Sequence, residues 1–234
     1  MESRQRLSIL LATGNADKQR MLAWLLEGLP FDPVSPAQAG VSASPDESGE
    51  SHEAIAKAKA EAWSLAAGIP AIASDGGLLV PALGANWESR YTRRFAGPAA
   101  DDSERQRRLL TLLERCRGAD REAAFVEGLA IADGGYTLAS WEARGATGRI
   151  VNNLADAGDP TGGDGFWVFP LWHFSEFDRT YDRLTQEERA SLGDHWDSLR
   201  SSVRSFAQEW VPNKQSAHDR LEWPSDNAPT GASR

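Results

Sequence analysis

Leu7-Ser8-Ile9-Leu10-Leu11-Ala12-Thr13-Gly14-Asn15-Ala16-Asp17-Lys18 is the stretch that decides how this chain folds. Leu7–Ala12 is an apolar run of strand length. Thr13-Gly14-Asn15 breaks it. Met21, Leu22, Leu25, Leu26 and Leu29 then fall on one helical face. Pro30 and Pro33 close that helix region. A buried strand, a polar turn and an amphipathic helix in immediate succession form the opening unit of an α/β domain.

The rest of the chain extends this pattern. Pro33 to Glu50 is rich in Pro, Ser, Ala and Gly and reads as loop with one short strand. Ser51 to Ala67 is dense in Ala, Glu and Lys, which favour helix. Ile69–Ser74 reads as a second buried strand, Asp75-Gly76-Gly77 as a turn, and Leu78–Leu83 as further extended chain. Gly84 to Gly97 reads as a loop with many arginines and aromatics, and Asp101 to Arg117 as a helix. Two β-prone segments, Glu122–Ala132 and Tyr136–Gly145, flank Asp133-Gly134-Gly135 and predict a hairpin. Asn152 to Gly165 reads as loop, and Phe166–Phe174 is strongly aromatic. Leu192, Trp196, Leu199, Val203, Phe206 and Trp210 alternate spacings of four and three, so one long helix buries a continuous stripe. Helices and strands alternating around a hairpin predict an α/β sheet that is not purely parallel.

Composition removes several function classes. The chain has 234 residues, with 34 acidic and 25 basic side chains and a net charge of −9. That charge opposes a surface that neutralises nucleic-acid phosphates. No run of apolar residues reaches the ~20 that a membrane-spanning helix needs. The single cysteine, Cys116, excludes an internal disulfide and a cysteine-built metal site. No apolar leader follows the charged Met1–Arg6, so a cytoplasmic setting is expected.

Four segments carry candidate chemistry. Thr13-Gly14-Asn15 opens a helix, where free backbone N–H groups and the helix dipole favour a phosphate; Lys18 lies one turn in. A plain turn with Asn15 as N-cap explains the same residues. Asp46-Glu47-Ser48-Gly49, followed by Lys57 and Lys59, offers carboxylates to a hard cation such as Mg²⁺, or forms a solvated acidic loop. Asp75 at the end of a strand suits a metal ligand or a water-orienting carboxylate, or a turn aspartate. Phe166, next to Gly165, suits stacking on a base, while Trp167, Val168 and Phe169 suit a buried core strand. His52, His173, His195 and His218 are scattered, and no pair has metal-ligand spacing.

Taken in order, these segments resemble the inosine triphosphate pyrophosphatase family. Its pattern begins with T-G-N-x-x-K, then E-x-G before a helix ending in K-A, then A-D-D-S-G-L, G-F-G-Y-D-P and a C-terminal S-H-R. The matching residues here are Thr13-Gly14-Asn15 with Lys18, then Glu47-Ser48-Gly49, Lys59-Ala60 and Ala73-Ser74-Asp75-Gly76-Gly77-Leu78. Ser89 to Gly97, with Arg94, resembles S-A-R-Y-x-G. Gly165-Phe166 and Pro170 fall on the aromatic loop, and Leu184–Arg189 resembles L-T-x-E-E-K. The likeness runs from Leu7 to about Phe206. It departs at Ser74 and Gly76 (aspartate and serine in the pattern), at Phe169 (aspartate) and at Arg189 (lysine). The S-H-R triplet falls on Gly193-Asp194-His195 or, slipped by one, on Asp194-His195-Trp196.

The resemblance implies a long, twisted, mixed sheet flanked by helices, with two lobes around a nucleotide cleft, over residues 1–210; the polar stretch 211–234 reads by composition as a disordered tail. It implies metal-dependent hydrolysis of a modified (d)NTP to (d)NMP and pyrophosphate, with altered base specificity. Asp75 and Lys59 take the catalytic positions. Glu47 and Asp75 take the metal positions, for Mg²⁺ or Mn²⁺. Thr13, Gly14, Asn15 and Lys18 fall on the phosphate side, with Arg94 and Arg189 as further anion contacts and Ser74 and Gly76 beside Asp75. Phe166, Asp194 and His195 fall on the base side. A homodimer acting on a nucleoside triphosphate is implied, with neither nucleic acid nor membrane as partner. A Maf-like pyrimidine nucleotide pyrophosphatase and a non-catalytic nucleotide-binding protein stand beside this reading.

Overall fold

The computed structural model of the chain describes residues 6–158 and 166–221. Its elements are β1 (Leu7–Leu11), α1 (Ala16–Leu26), β2 (Phe31–Val34), α2 (Pro36–Ala39), α3 (His52–Ala67), β3 (Ala71–Leu79), α4 (Asp102–Leu112), β4 (Glu122–Asp133), β5 (Tyr136–Ile150), β6 (Trp172–Phe174), β7 (Arg179–Thr180), α5 (Gln186–Ser191) and α6 (His195–Leu221). The strands form one seven-stranded sheet in the order β2-β1-β3-β4-β5-β6-β7. β1 runs parallel to both β2 and β3, and every later pairing is antiparallel. The expected mixed α/β sheet is what forms.

The period-two geometry of strands sorts the core onto two faces. Ile9, Leu11, Ile72, Leu129 and Ile131 pack under α1 and α6, against Leu22, Leu25, Leu199 and Val203. Leu10, Ala12, Ala71, Ala73, Ala130 and Ala132 face α3, against Ala56 and Ala60. Small residues on both sides let α3 lie close to the sheet. The closest approach is at Gly128, where an added Cβ would stand 2.3 Å from the Glu53 nitrogen and 2.3 Å from the His52 carbonyl carbon. A third cluster fills the other lobe with Leu78, Leu109, Ile150, Trp167, Leu171 and Trp172. Trp172 is anchored there by donating its indole N–H to the Ala123 carbonyl at 3.0 Å. Trp210 stacks on Phe31 and Phe206 across the first core.

The structure corrects the expected turn at Asp75-Gly76-Gly77: β3 runs through it without interruption to Leu79. The two glycines serve close approach rather than bending. A Cβ on Gly76 would stand 1.7 Å from a carboxylate oxygen of Glu127, and one on Gly77 2.0 Å from the Ser89 carbonyl oxygen. The hairpin forms as expected, with Gly134 at φ 58° and Gly135 at φ 85° in its two-residue turn. Its second strand continues past Gly145 to Ile150. The last helix runs eleven residues beyond the boundary expected at 210, through Pro212 to Leu221, with Val211 buried in the core. Gly162–Gly165, Trp223 and the remainder of the expected tail lie outside the described residues.

Candidate active site

A cleft of about 1320 Å³ lies between the two lobes. Every residue expected on the phosphate and metal side lines it: Thr13, Gly14, Asn15, Lys18, Glu47, Lys59, Ser74, Asp75, Gly76 and Arg94. Phe166, Arg189 and Asp194 line it too. His195 does not. Its ring packs over Gly145, stacks at 6.5 Å on Phe125, and holds Asp194 from behind at 3.0 Å. Phe169, expected in a buried core strand, lines the cleft at the start of a short 3₁₀ turn.

Asp75 is the centre of the charged network. It sits on the α3 face of β3, opposite Gly128. One carboxylate oxygen accepts from the Lys59 ammonium at 2.7 Å and the other pairs with His52 Nδ1 at 2.7 Å. A carboxylate only accepts, so Nδ1 carries the proton. His52 Nε2 then meets the Ser89 hydroxyl at 2.9 Å. Burial opposes the charge on Asp75, yet the His52 hydrogen bond and the Lys59 charge outweigh it and hold the carboxyl below its ordinary range. Burial likewise opposes the charge on Lys59. Asp75 and Glu47 outweigh that penalty and raise the ammonium above its ordinary value. Both groups are therefore ionised at neutral pH.

Glu47 extends the network toward solvent. It pairs with Lys59 at 3.0 Å and with Arg94 at 3.1 Å. Arg90 fixes the Glu47 loop by donating to the Gly49 carbonyl and pairing with Glu88 at 2.8 Å. Glu47 and Asp75 thus place carboxylate oxygens on either side of one ammonium group. Among the described residues no three His, Cys, Asp or Glu side chains gather as a metal site. This donor set fits Mg²⁺, which takes one or two carboxylates and fills its other positions with water and phosphate oxygens.

The other face of β3 carries a second cation. Lys18, on α1, pairs with Glu127 at 3.1 Å and lies 3.5 Å from the Ser74 hydroxyl. Glu127 sits opposite Gly76 and is 5% exposed. At the Thr13–Asn15 turn, the N-cap reading of Asn15 holds. Asn15 Oδ1 caps α1 by accepting the N–H groups of Asp17 at 2.8 Å and Lys18 at 3.3 Å, which leaves its amide NH₂ for the cleft.

The far end of the cleft is aromatic. Phe169 and Tyr181 lie 4.5 Å apart, and the Arg189 guanidinium stands 4.9 Å over the Tyr181 ring. The Asp194 carboxylate caps α6 by accepting the Trp196 N–H at 3.0 Å. Burial opposes its charge, but His195 and that backbone N–H hold it below the ordinary range.

Reasoning from the residues alone missed His52, Ser89 and Glu127. His52 was legible in principle: it precedes Lys59 by seven positions, two turns of one helix, and so shares its face. Glu127 and Ser89 carry no such signal, because strand register and a 3₁₀ turn bring them in.

Residues 9–201 match the model of the Ham1 family (Ham1p_like). A dITP/XTP pyrophosphatase of Halorhodospira halophila is 32% identical over 209 residues, covering 87% of this chain and 98% of that protein. One from Rhodopseudomonas palustris is 35% identical over 188 residues, covering 79% and 85%. A HAM1 protein structure from Coxiella burnetii superposes with a TM-score of 0.71 at 26% identity, covering 85% of this chain and 99% of that one. With a shared fold and a match across most of its length, the chain belongs to the Ham1 family.

Proposed function

We propose that this protein hydrolyses a purine (d)NTP to (d)NMP and pyrophosphate, in the manner named for its relatives. The observation that supports this best is the grip of Lys59 and His52 on the ionised Asp75 in the wall of a nucleotide-sized cleft. The water oxygen bonds to the α-phosphorus, the bond to the bridging oxygen breaks, and pyrophosphate leaves with that electron pair. Asp75 holds the attacking water and receives or relays its proton. Held below its ordinary pKa range, it is a weak base, so orientation is the larger share of its work.

The Asn15 amide, Lys18, Lys59 and Arg94 line the cleft and are the groups that would meet the phosphate chain. Lys18 shares its charge between Glu127 and substrate, and Arg94 shares its own with Glu47. Glu47 and Asp75 are the residues that would hold Mg²⁺, which when bound neutralises phosphate oxygens and favours the leaving group. His52 is a positioning residue: it touches Asp75, not the substrate. Phe166 offers a ring to the base. A homodimer and a cytoplasmic setting belong to the same reading; no helix among the described residues is long and apolar enough to cross a membrane.

The test is pyrophosphate release from a panel of standard and modified NTPs and dNTPs with Mg²⁺. Turnover of 6-oxopurine nucleotides, abolished by Asp75→Asn, is expected. Full turnover by Asp75→Asn would remove Asp75 from the reaction.

A further inference from the structure

The aromatic end of the cleft, away from Lys59 and Asp75, also carries negative charge. Asp194 and Asp197, one turn apart at the start of α6, both line it. Arg189 is the cation beside them, and it is partly committed, donating to the Asp182 carbonyl at 3.3 Å and standing 4.9 Å over the Tyr181 ring. Asp194 is held rigidly. Its Oδ1 takes both the Trp196 N–H and the His195 contact. Among the described residues, Oδ2 has no hydrogen-bond partner. The reach of this charge is visible at Tyr181, whose phenol is pushed up first by burial and then by Asp194.

A fixed carboxylate oxygen accepts N–H groups and repels oxygens and anions. The 6-oxopurines differ in just this respect. Hypoxanthine offers an N1–H beside its 6-oxygen and nothing polar at C2, and guanine adds a donating 2-amino group that a carboxylate also accepts. Xanthine adds a 2-oxygen, and its ring is acidic enough to be largely anionic at neutral pH. Arginine donates to the 6-oxygen that they share.

On the pyrophosphatase reading above, we propose that Asp194 is a specificity-determining residue that selects 6-oxopurine nucleotides lacking an oxygen at position 2, so that inosine triphosphates are substrates and xanthosine triphosphate is excluded. The relatives described here are named for both dITP and XTP; this chain serves only the inosine half of that pair. Capping of α6 is the competing account of Asp194. The two separate cleanly, because asparagine and serine cap as well as aspartate but carry no charge.

The experiment compares kcat/KM for ITP and XTP with Mg²⁺ at neutral pH in the wild type, Asp194→Asn and Asp194→Ser, with thermal melts of all three. The wild type is expected to favour ITP by about tenfold or more. Both variants are expected to melt with the wild type and to bring the two substrates within about threefold, chiefly by a gain on XTP. Equal use of ITP and XTP by the wild type overturns the proposal, and so does an unchanged ratio in both variants. Cleavage of neither triphosphate overturns the pyrophosphatase reading itself, a result distinct from cleavage of both.

Discussion

Gly128→Ala tests how the site is held without touching a cleft residue. Gly128 pairs with Asp75 across the strands, and the first turn of α3 rests directly on it. The new Cβ would stand 2.3 Å from the Glu53 nitrogen and from the His52 carbonyl carbon, and 2.5 Å from the His52 oxygen, where ordinary contact begins near 3.4 Å. All three atoms are backbone, so no rotamer change relieves the overlap. The end of α3 must retreat by about 1 Å. The His52–Asp75 bond then stretches from 2.7 Å past the limit of a hydrogen bond. Overpacking of this kind costs about 1–3 kcal/mol, or roughly 2–12 °C in Tm for a chain of this size. An ångström of misplacement at a reacting centre costs on the order of 10²-fold in rate. Initial rates of pyrophosphate release, with calorimetry on the same samples, are expected to show kcat falling on that scale, KM nearly constant, and a modest drop in Tm. Wild-type kcat and Tm in Gly128→Ala would refute the claim that contact between α3 and β4 sets the position of Asp75.

Other outcomes follow from the same network. Lys18→Met leaves the buried Glu127 without its ammonium and is expected to destabilise by about 1–3 kcal/mol in urea unfolding, with Lys18→Met/Glu127→Gln recovering most of the loss. Asp75 contributes stability above its ordinary value of 3.8, lost as pH falls through its lowered folded value. Lys59 contributes below 10.5, lost as pH rises through its raised one. The stability gap between wild type and Asp75→Asn is therefore expected to be flat from about pH 5 to 9 and to shrink toward acid, as read by urea melts. Arg121→Met removes a buried guanidinium that donates to the carbonyls of Ile150 at 2.7 Å, Leu113 at 2.6 Å and Val151, tying the end of α4 to the end of β5. A loss of about 3 kcal/mol or more is expected in the same assay.

Much of this was legible in the residues because local physics was left to act. The apolar run Leu7–Leu11, the Asn15 cap and the stripe on α1 depend on near neighbours alone, and they formed as read. The Gly134-Gly135 turn was legible for the same reason. Gly76-Gly77 misled because glycine permits two things, bending and close approach, and only the partners Glu127 and Ser89 decide which. Those partners arrive through strand register and through a turn at Ser89–Tyr91, neither of which leaves a periodic trace in the chain. The charge on Asp75 was legible. The histidine that steadies it was passed over, because scattered histidines were weighed as metal ligands and not as neighbours of a carboxylate.

The two contacts on Asp75 come from one rigid body. His52 and Lys59 stand two turns apart on α3, about 10.5 Å along its axis, and approach the carboxylate from opposite ends. Any slide of the helix along its axis that shortens one contact lengthens the other. Sliding therefore meets a restoring pull in both directions, and the carboxylate is centred by a balance of opposed tethers. Such an arrangement keeps the oxygen positions sharp. The two oxygens of Asp75 therefore keep their place relative to α3 as a pair.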